Sequence, residues 1–429
     1  MIKNRAKFAA ITDNGLSSRF FLFDFMLSNQ KKLIPWINWG IAVSFVLSQF
    51  FLQAASGLMA AFWQKDFALN TTQVGFLSSV FFIAYVGMQI PVGLAYDRFG
   101  ARKILLTASI LLCLGTFGLG FSHNYWQAVI ARILMGFGSS FGFVGMLYTT
   151  SSWFSSRYFA LLVGLAETLA MIGVALAEII MAWVISHYGW RVMLYIAGSG
   201  MFLINFLIYI FVRDRKTNQS KAKKAIALKD ALLKTIRNKQ VWFAGLYGFA
   251  TFAVINVVVG LWGIPFMTQY HKLSLPTASS MMSMVFIGTA IGGPFNAWFV
   301  ERWLNGRWLN RRFATTLFAI ITAILFSALI YMPYLSVKLG FVLLFLIGFF
   351  SSIYIQVFAI VKDHTEPSVR ATALATTNML LMASAPILQP IIGKLLAINY
   401  SFPQALSLLV FIFIIAIGLS FGLDKKELA

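Results

Sequence analysis

Apolar residues run along the chain in twelve long stretches separated by short polar ones. The stretches cover roughly 36–60, 73–94, 104–121, 125–150, 159–184, 191–212, 241–266, 277–300, 313–333, 337–361, 371–394 and 402–423. Each is close to or above the about 20 residues that a helix needs to cross the hydrocarbon core of a bilayer. Strict two-residue alternation, the mark of a membrane β-barrel, does not occur. The pattern therefore predicts an all-α polytopic membrane protein with twelve transmembrane helices. The first stretch is too long and too late for a simple secretory signal, and apolar segments continue behind it.

Polar segments divide the chain. The longest, RDRKTNQSKAKKAIALKDALLKTIRNKQ at 213–240, lies at the midpoint. This predicts two six-helix bundles: a tail at 1–35, a first bundle at 36–212, a basic linker at 213–240, and a second bundle with a short tail at 241–429. Within the linker, 224–237 can form an amphipathic helix, with Ile226, Leu228, Leu232, Leu233 and Ile236 toward lipid and lysines toward headgroups. A plain surface linker is the simpler reading. Residues 1–32 hold RFFLFDFML at 19–27. That segment reads either as a strip along the membrane face or as an unordered tail.

Composition removes the soluble alternatives. Of 429 residues, 59% are hydrophobic and 11% are charged, against about 25% charged in a soluble domain. Disorder is excluded by the same figures. The net charge of +21 can suggest nucleic acid, so the placement of the charges decides. Of the 34 basic residues, 28 fall in the termini and even-numbered loops and five in the opposite loops, leaving Arg132 inside span four. That asymmetry places both termini and the basic loops in the cytoplasm. No nucleic-acid partner is needed to explain it.

Directly after span two comes GLAYDRFGARK at 93–103. It resembles the signature of the major facilitator superfamily, G-x-x-x-D-R/K-x-G-x-R-R/K, at Gly93, Asp97, Arg98, Gly100, Arg102 and Lys103. The resemblance extends over all twelve spans. It implies two pseudo-symmetric bundles and a gating role for this cluster, thought in the family to lock the halves in the outward-facing state. A weaker copy stands at 297–312, AWFVERWLNGRWLNRR, where Glu301 and Arg302 resemble the acidic–basic pair. Ala297 replaces its expected glycine. In span four, Arg132, Gly136 and Gly138 resemble R-x-x-x-G-x-G. In span five only Gly164 and Gly173 of the antiporter signature G-x8-G-x3-G-P-x2-G-G are kept. Ala177, Glu178, Met181 and Ala182 depart from it, which argues against efflux. Residues 370–393 resemble span eleven of organic-solute and anion carriers.

Three ionisable residues fall inside the spans: Arg132, Glu167 and Glu178. Charges in hydrocarbon are costly unless paired or hydrated, so each is a functional candidate. At 1.5 Å per residue, Arg132 and Glu178 sit at about the same depth, roughly 10 Å below the outer edge. They can therefore pair. Arg132 can instead bind a carboxylate or serve structure. Glu167 is the first proton-coupling candidate and Glu178 the second, since a carboxylate in a partly dry cavity can exchange a proton in each cycle. Helix packing is the competing role for Glu167. Substrate-binding candidates near mid-depth are Gln49, Gln53, Arg132, Asn256, Tyr354, Gln356 and Asn378, each of which can also be an ordinary helix–helix hydrogen bond.

Cys113 is the only cysteine, and the four histidines lie in or beside loops. No metal-ligand spacing, phosphate loop or catalytic cluster is present, so neither a cofactor nor an enzymatic reaction is expected. The sequence points to a secondary active transporter of the bacterial inner membrane, working as a monomer. It would take up an amino acid, short peptide or organic anion with protons. Proton-driven efflux of a metabolite, siderophore or drug, and a non-transporting receptor or scaffold, are the alternatives.

Overall fold

Residues 15–214, 228–304, 311–366 and 369–423 are described by the computed structural model. Among them, twelve helices are long and apolar enough to cross a membrane. They are Leu33–Ala54, Thr71–Gln89, Phe99–Gly120, Tyr125–Trp153, Leu161–Tyr188, Trp190–Phe211, Lys239–Tyr270, Leu275–Val300, Arg311–Tyr331, Val337–Asp363, Thr372–Ala397 and Phe402–Ser420, numbered below as spans one to twelve. Outward-facing Leu161, Leu169, Leu176 and Ile180 on span five show the apolar exterior that a lipid-embedded helix needs.

Polar residues set where helices begin. Asn70 and Gln73 form a reciprocal cap at the start of span two: the Gln73 N–H donates to Asn70 Oδ1 at 2.9 Å, and the Asn70 N–H to Gln73 Oε1 at 3.0 Å. Two of the helix's free N–H groups are satisfied this way. Asn124 caps span four through the Gln127 N–H at 3.0 Å. Span one, expected to reach residue 60, ends at Ala54, and a second helix, Ser56–Asp66, carries the chain onward. The helix Gly15–Ala54 makes the 19–27 segment continuous with span one. In the linker, Leu228–Arg237 is helical with Leu233 and Ile236 exposed. Residues 215–227 lie outside the described residues. That linker helix is tied to the second half, because Lys234 Nζ meets Glu366 Oε2 at 3.0 Å and Asn238 donates to the His364 carbonyl at 2.9 Å.

Close backbone approach recurs in both halves. A Cβ added to Gly136 in span four would stand 2.0 Å from the Phe81 carbonyl oxygen of span two. One added to Gly348 in span ten would stand 2.1 Å from that of Val285 in span eight. Spans two and four thus repeat as spans eight and ten, which is how a duplicated carrier fold shows itself in packing.

The helices that matter most for the centre are the least regular. Span seven is α-helical over Lys239–Ala253 and then π-helical over Val254–Trp262 and Phe266–Tyr270. Its core window is 94% buried, more than that of any other span. Span ten passes through a 3-10 turn at Ser352–Ile355, and span eleven breaks at Ala383 between Arg370–Met382 and Ser384–Ala397. Irregular backbone is tolerated at membrane depth where protein or a cavity surrounds it.

At the end of the bundle opposite the basic loops, Asp66 accepts from Trp190 Nε1 at 3.0 Å and forms an ion pair with Arg191. Partial burial pushes the Asp66 carboxyl up, but the Trp190 and Arg191 hydrogen bonds and the neighbouring positive charges outweigh it and hold the carboxyl below its ordinary value. Stability from this pair is present above the ordinary carboxylate range and is lost as pH falls through the lowered folded value. Asp66→Asn is expected to flatten the acid limb of thermal stability measured in detergent. Gly136→Ala is expected to cost about 1–3 kcal/mol through overpacking, read as a lower unfolding midpoint. Gly164→Ala, whose added Cβ meets nothing within 4 Å, should leave the midpoint unchanged.

Candidate functional site

Side chains from both halves meet at mid-depth. Gln53 of span one donates to Asn256 Oδ1 of span seven at 3.3 Å. Asn256 in turn donates to Ser384 Oγ of span eleven at 3.0 Å. It lies in the π-helical stretch, and Gln389 of span eleven donates to its backbone carbonyl at 2.8 Å. A few residues toward the basic end, Asn378 of span eleven donates to Gln89 Oε1 of span two at 3.0 Å. The Tyr85 phenol lies beside the Gln49, Gln89 and Asn378 side chains. Across from it, Tyr354 of span ten packs edge-on against Phe252 of span seven, with ring centroids 4.7 Å apart.

Half-buried Glu167 of span five stands within electrostatic range of Tyr85 and Tyr354, one phenol from each half. Three buried amide atoms there, both of Gln49 and the carbonyl oxygen of Gln53, have no partner among the described residues. Unpaired buried polar atoms are rare; the Gln49 oxygen lies against Gly142 of span four, and the Gln53 oxygen belongs to the side chain that reaches across to Asn256.

The end opposite the basic loops is sealed around this cluster. Thr71 Oγ1 donates to the Gly393 carbonyl at 2.6 Å, and Ser79 Oγ meets Gln389 Oε1 at 3.5 Å. Gly75 lets span two run against the span-eleven backbone, where a Cβ would stand 2.6 Å from the Gln389 carbonyl oxygen. On the far side, spans five and eight close together at Glu178.

Glu178 and Arg132 correct the expected pairing. Glu178 is fully buried and turned to span eight. Ser279 Oγ donates to its backbone carbonyl at 3.0 Å and Ser283 Oγ to its Oε2 at 3.4 Å, while Oε1 has no partner among the described residues. Arg132 lies wholly inside the first half. Its guanidinium donates to the Leu52, Leu77 and Ser78 carbonyls at 3.3, 3.4 and 3.2 Å and to Ser56 Oγ at 2.8 Å. It also lies over the Phe81 ring at 4.7 Å. The depth arithmetic was sound, but rotation about each helix axis points the two side chains at different neighbours. The proposed carboxylate-binding role for Arg132 is not supported by this geometry, because its donors are engaged and it is 0% exposed.

Of the other substrate candidates, Gln53 bonds Asn256 across the halves, Asn378 bonds Gln89, and Gln49 lies beside Tyr85, while Tyr354 packs on Phe252 and joins none of these hydrogen bonds. Gln356 is buried but joins none of these hydrogen bonds. Ser352 of span ten pairs with Asn296 of span eight at 2.6 Å within the second half. Sequence reasoning missed Tyr85, Gln89, Ser384 and Gln389. The two glutamines carried a usable signal, since each is an amide in an apolar run within two residues of a proline. No group of three His, Cys, Asp or Glu is placed to hold a metal among the described residues.

In the loop after span two, Gly100 takes φ 78°, a value open to glycine. A Cβ there would meet the Asp214 carboxylate at 2.8 Å. The Arg102 N–H donates to Asp214 Oδ1 at 3.0 Å, and its guanidinium to the Tyr209 carbonyl at 2.7 Å. Arg102 therefore braces span six of its own half in this conformation, and Lys103 is exposed. The side chains of Gly93, Asp97, Arg98, Glu301 and Arg302 lie outside the described residues.

Arg132→Gln is expected to strand several buried carbonyls. Each costs about 1–3 kcal/mol, so the variant should lose several degrees of thermal midpoint, or its monodisperse peak, in detergent. A variant of wild-type stability with weakened solute binding would contradict the structural role.

The sequence signature described as "Major Facilitator Superfamily" matches residues 41–265 and 257–428. The membrane sensor protein UhpC of Salmonella typhimurium is 25% identical over 63% of this chain and 64% of its own. The cis,cis-muconate transport protein of Acinetobacter baylyi is 24% identical over 61% of this chain and 65% of its own. The chain thus spans just under two thirds of the length of these curated relatives. Among solved structures, the D-xylose–proton symporter superposes with a TM-score of 0.73 over 91% of this chain and 98% of that one, at 18% identity; this likeness shows the fold. With its twelve spans, duplicated packing and a signature match over nearly the whole length, this integral membrane protein belongs to the Major Facilitator Superfamily.

Proposed function

We propose that the protein is a secondary active transporter that takes up a small polar organic solute with protons by alternating access. One observation carries the reading: hydrogen-bonding groups from both halves converge at mid-depth, beside one carboxyl, beneath a seam closed at the end opposite the basic loops. The solute would sit among Gln49, Gln53, Tyr85, Gln89, Asn256, Tyr354 and Asn378. The orphaned amide atoms of Gln49 and Gln53 support that placement. Binding there replaces inter-half hydrogen bonds with contacts to solute. That is how a ligand gains the different affinities for two conformations that it needs to shift between them.

Glu167 is the proposed coupling group. It stands between the halves, where rocking alternates its access to water between the two sides. Glu178 is the second candidate, at the span five–eight seam. The cluster Gly93, Asp97, Arg98, Gly100, Arg102, Lys103, with Glu301 and Arg302 in the second half, is proposed to gate the basic end. The charge asymmetry supports a cytoplasmic position for that end and both termini, in a bacterial inner membrane, with the closed seam facing outward. The first bundle (36–212), linker (213–240) and second bundle (241–429) form one working unit, and the protein acts as a monomer.

A receptor without transport is the second reading, favoured by the sensor named among the relatives. Proteoliposomes separate the two. The transport reading expects accumulation of a solute from a metabolite panel under an inward proton gradient, collapsing with an uncoupler. Glu167→Gln should abolish accumulation yet keep solute exchange. Full gradient-driven accumulation by that variant would reject Glu167 as the coupling group. Binding without flux in either direction would favour the receptor, and loading driven by an outward gradient would mean efflux.

A further inference from the structure

We propose that the transported solute carries no anionic group: it is a hydrogen-bonding molecule without carboxylate, phosphate or sulfonate. This rests on the transport reading and narrows its substrate class. Anion sites in proteins rely on Arg or Lys, whose charge and N–H donors match carboxylate and phosphate oxygens. The sequence places a single basic residue well inside any span, Arg132. All others stand near span ends or in loops. Arg132 is itself turned away from the mid-depth cluster. Three backbone carbonyls and one serine hydroxyl hold its guanidinium within the first half, and it has no accessible surface.

The groups of the mid-depth cluster are of another kind. Gln49, Gln53, Gln89, Asn256 and Asn378 are amides, while Tyr85 and Tyr354 are phenols. Every one of them both donates and accepts hydrogen bonds. That inventory suits hydroxyl, carbonyl and amide groups, which also donate and accept. The one charge-bearing group beside them is Glu167. While that carboxyl is ionised, a bound anion would face it with no cation to offset it. At an effective dielectric of about 20 and a separation of about 6 Å, the repulsion weakens binding roughly 100-fold. Glu178 does not alter the balance, because its carboxyl is buried against span eight.

Matched pairs sharing one skeleton test the proposal. Suitable pairs are D-galactose with D-galacturonate, D-glucose with D-glucuronate, uridine with uridine 5′-monophosphate, and glycerol with glycerol 3-phosphate. Each compound is assayed by thermal stabilisation of purified protein and by radiolabelled uptake into proteoliposomes. At least one neutral member is expected to bind and accumulate, with its anionic partner at least about tenfold weaker, as the repulsion implies. In Glu167→Gln, equilibrium binding should show that gap narrowed by about tenfold or more on the same basis. An anionic member handled as well as its neutral partner would overturn the proposal and leave the transport reading standing. A gap unchanged in Glu167→Gln would overturn the electrostatic argument. Failure of every compound to bind or move under any gradient would reject the transport reading, and this inference with it.

Discussion

A polar group inside a bilayer has no water to bind, so it must find its partner within the protein. The rest of this structure depends on that constraint. Span seven runs through π-helical backbone at the centre of the bundle, and Gln389 of span eleven supplies the donor that the Asn256 carbonyl takes. Asn256 then engages Gln53 across the two halves and Ser384 beside it. The same short list of polar residues satisfies an irregular helix, joins the halves and lines the space between them. Because these bonds are few and cross from one half to the other, they can be exchanged for bonds to a solute.

The sealed end differs in kind. There, contact is made by backbone and small residues: Gly75 against the Gln389 carbonyl, Thr71 on the Gly393 carbonyl, Gly57 against the span-seven backbone. Small residues let helices meet closely without the interlocking of long side chains. Such a seam packs well yet keeps few groups that must be re-satisfied when it parts. Glu178 is the exception, a carboxyl fixed to span-eight serines at the far side of the same seam.

How much of this was legible in the sequence follows from what each signal measures. The twelve spans were readable because hydrocarbon thickness fixes their length, and the duplicated organisation because the basic linker falls at the midpoint. Gly100 was readable as a turn residue, and its φ of 78° agrees. Depth could be counted along a helix, which put Gln53, Asn256 and Asn378 at the right level. Rotation about the helix axis could not be counted, since packing decides it. Arg132 and Glu178 therefore matched in depth but not in direction. Tyr85 was hidden among many aromatic residues, and Gln89 and Gln389 were passed over because their role is to bond across a seam that no single helix reveals.

Alternating access requires the seam at Thr71 and Gly393 to open while the two halves stay intact. Asn70→Cys and Lys394→Cys, both at exposed positions beside that seam, can be spin-labelled in a Cys113→Ser background and their separation followed by pulsed electron–electron resonance in nanodiscs. A short distance matching the closed seam is expected, with a second, longer population whose weight changes with pH and with transported solute. A single short distance under every condition would contradict that opening.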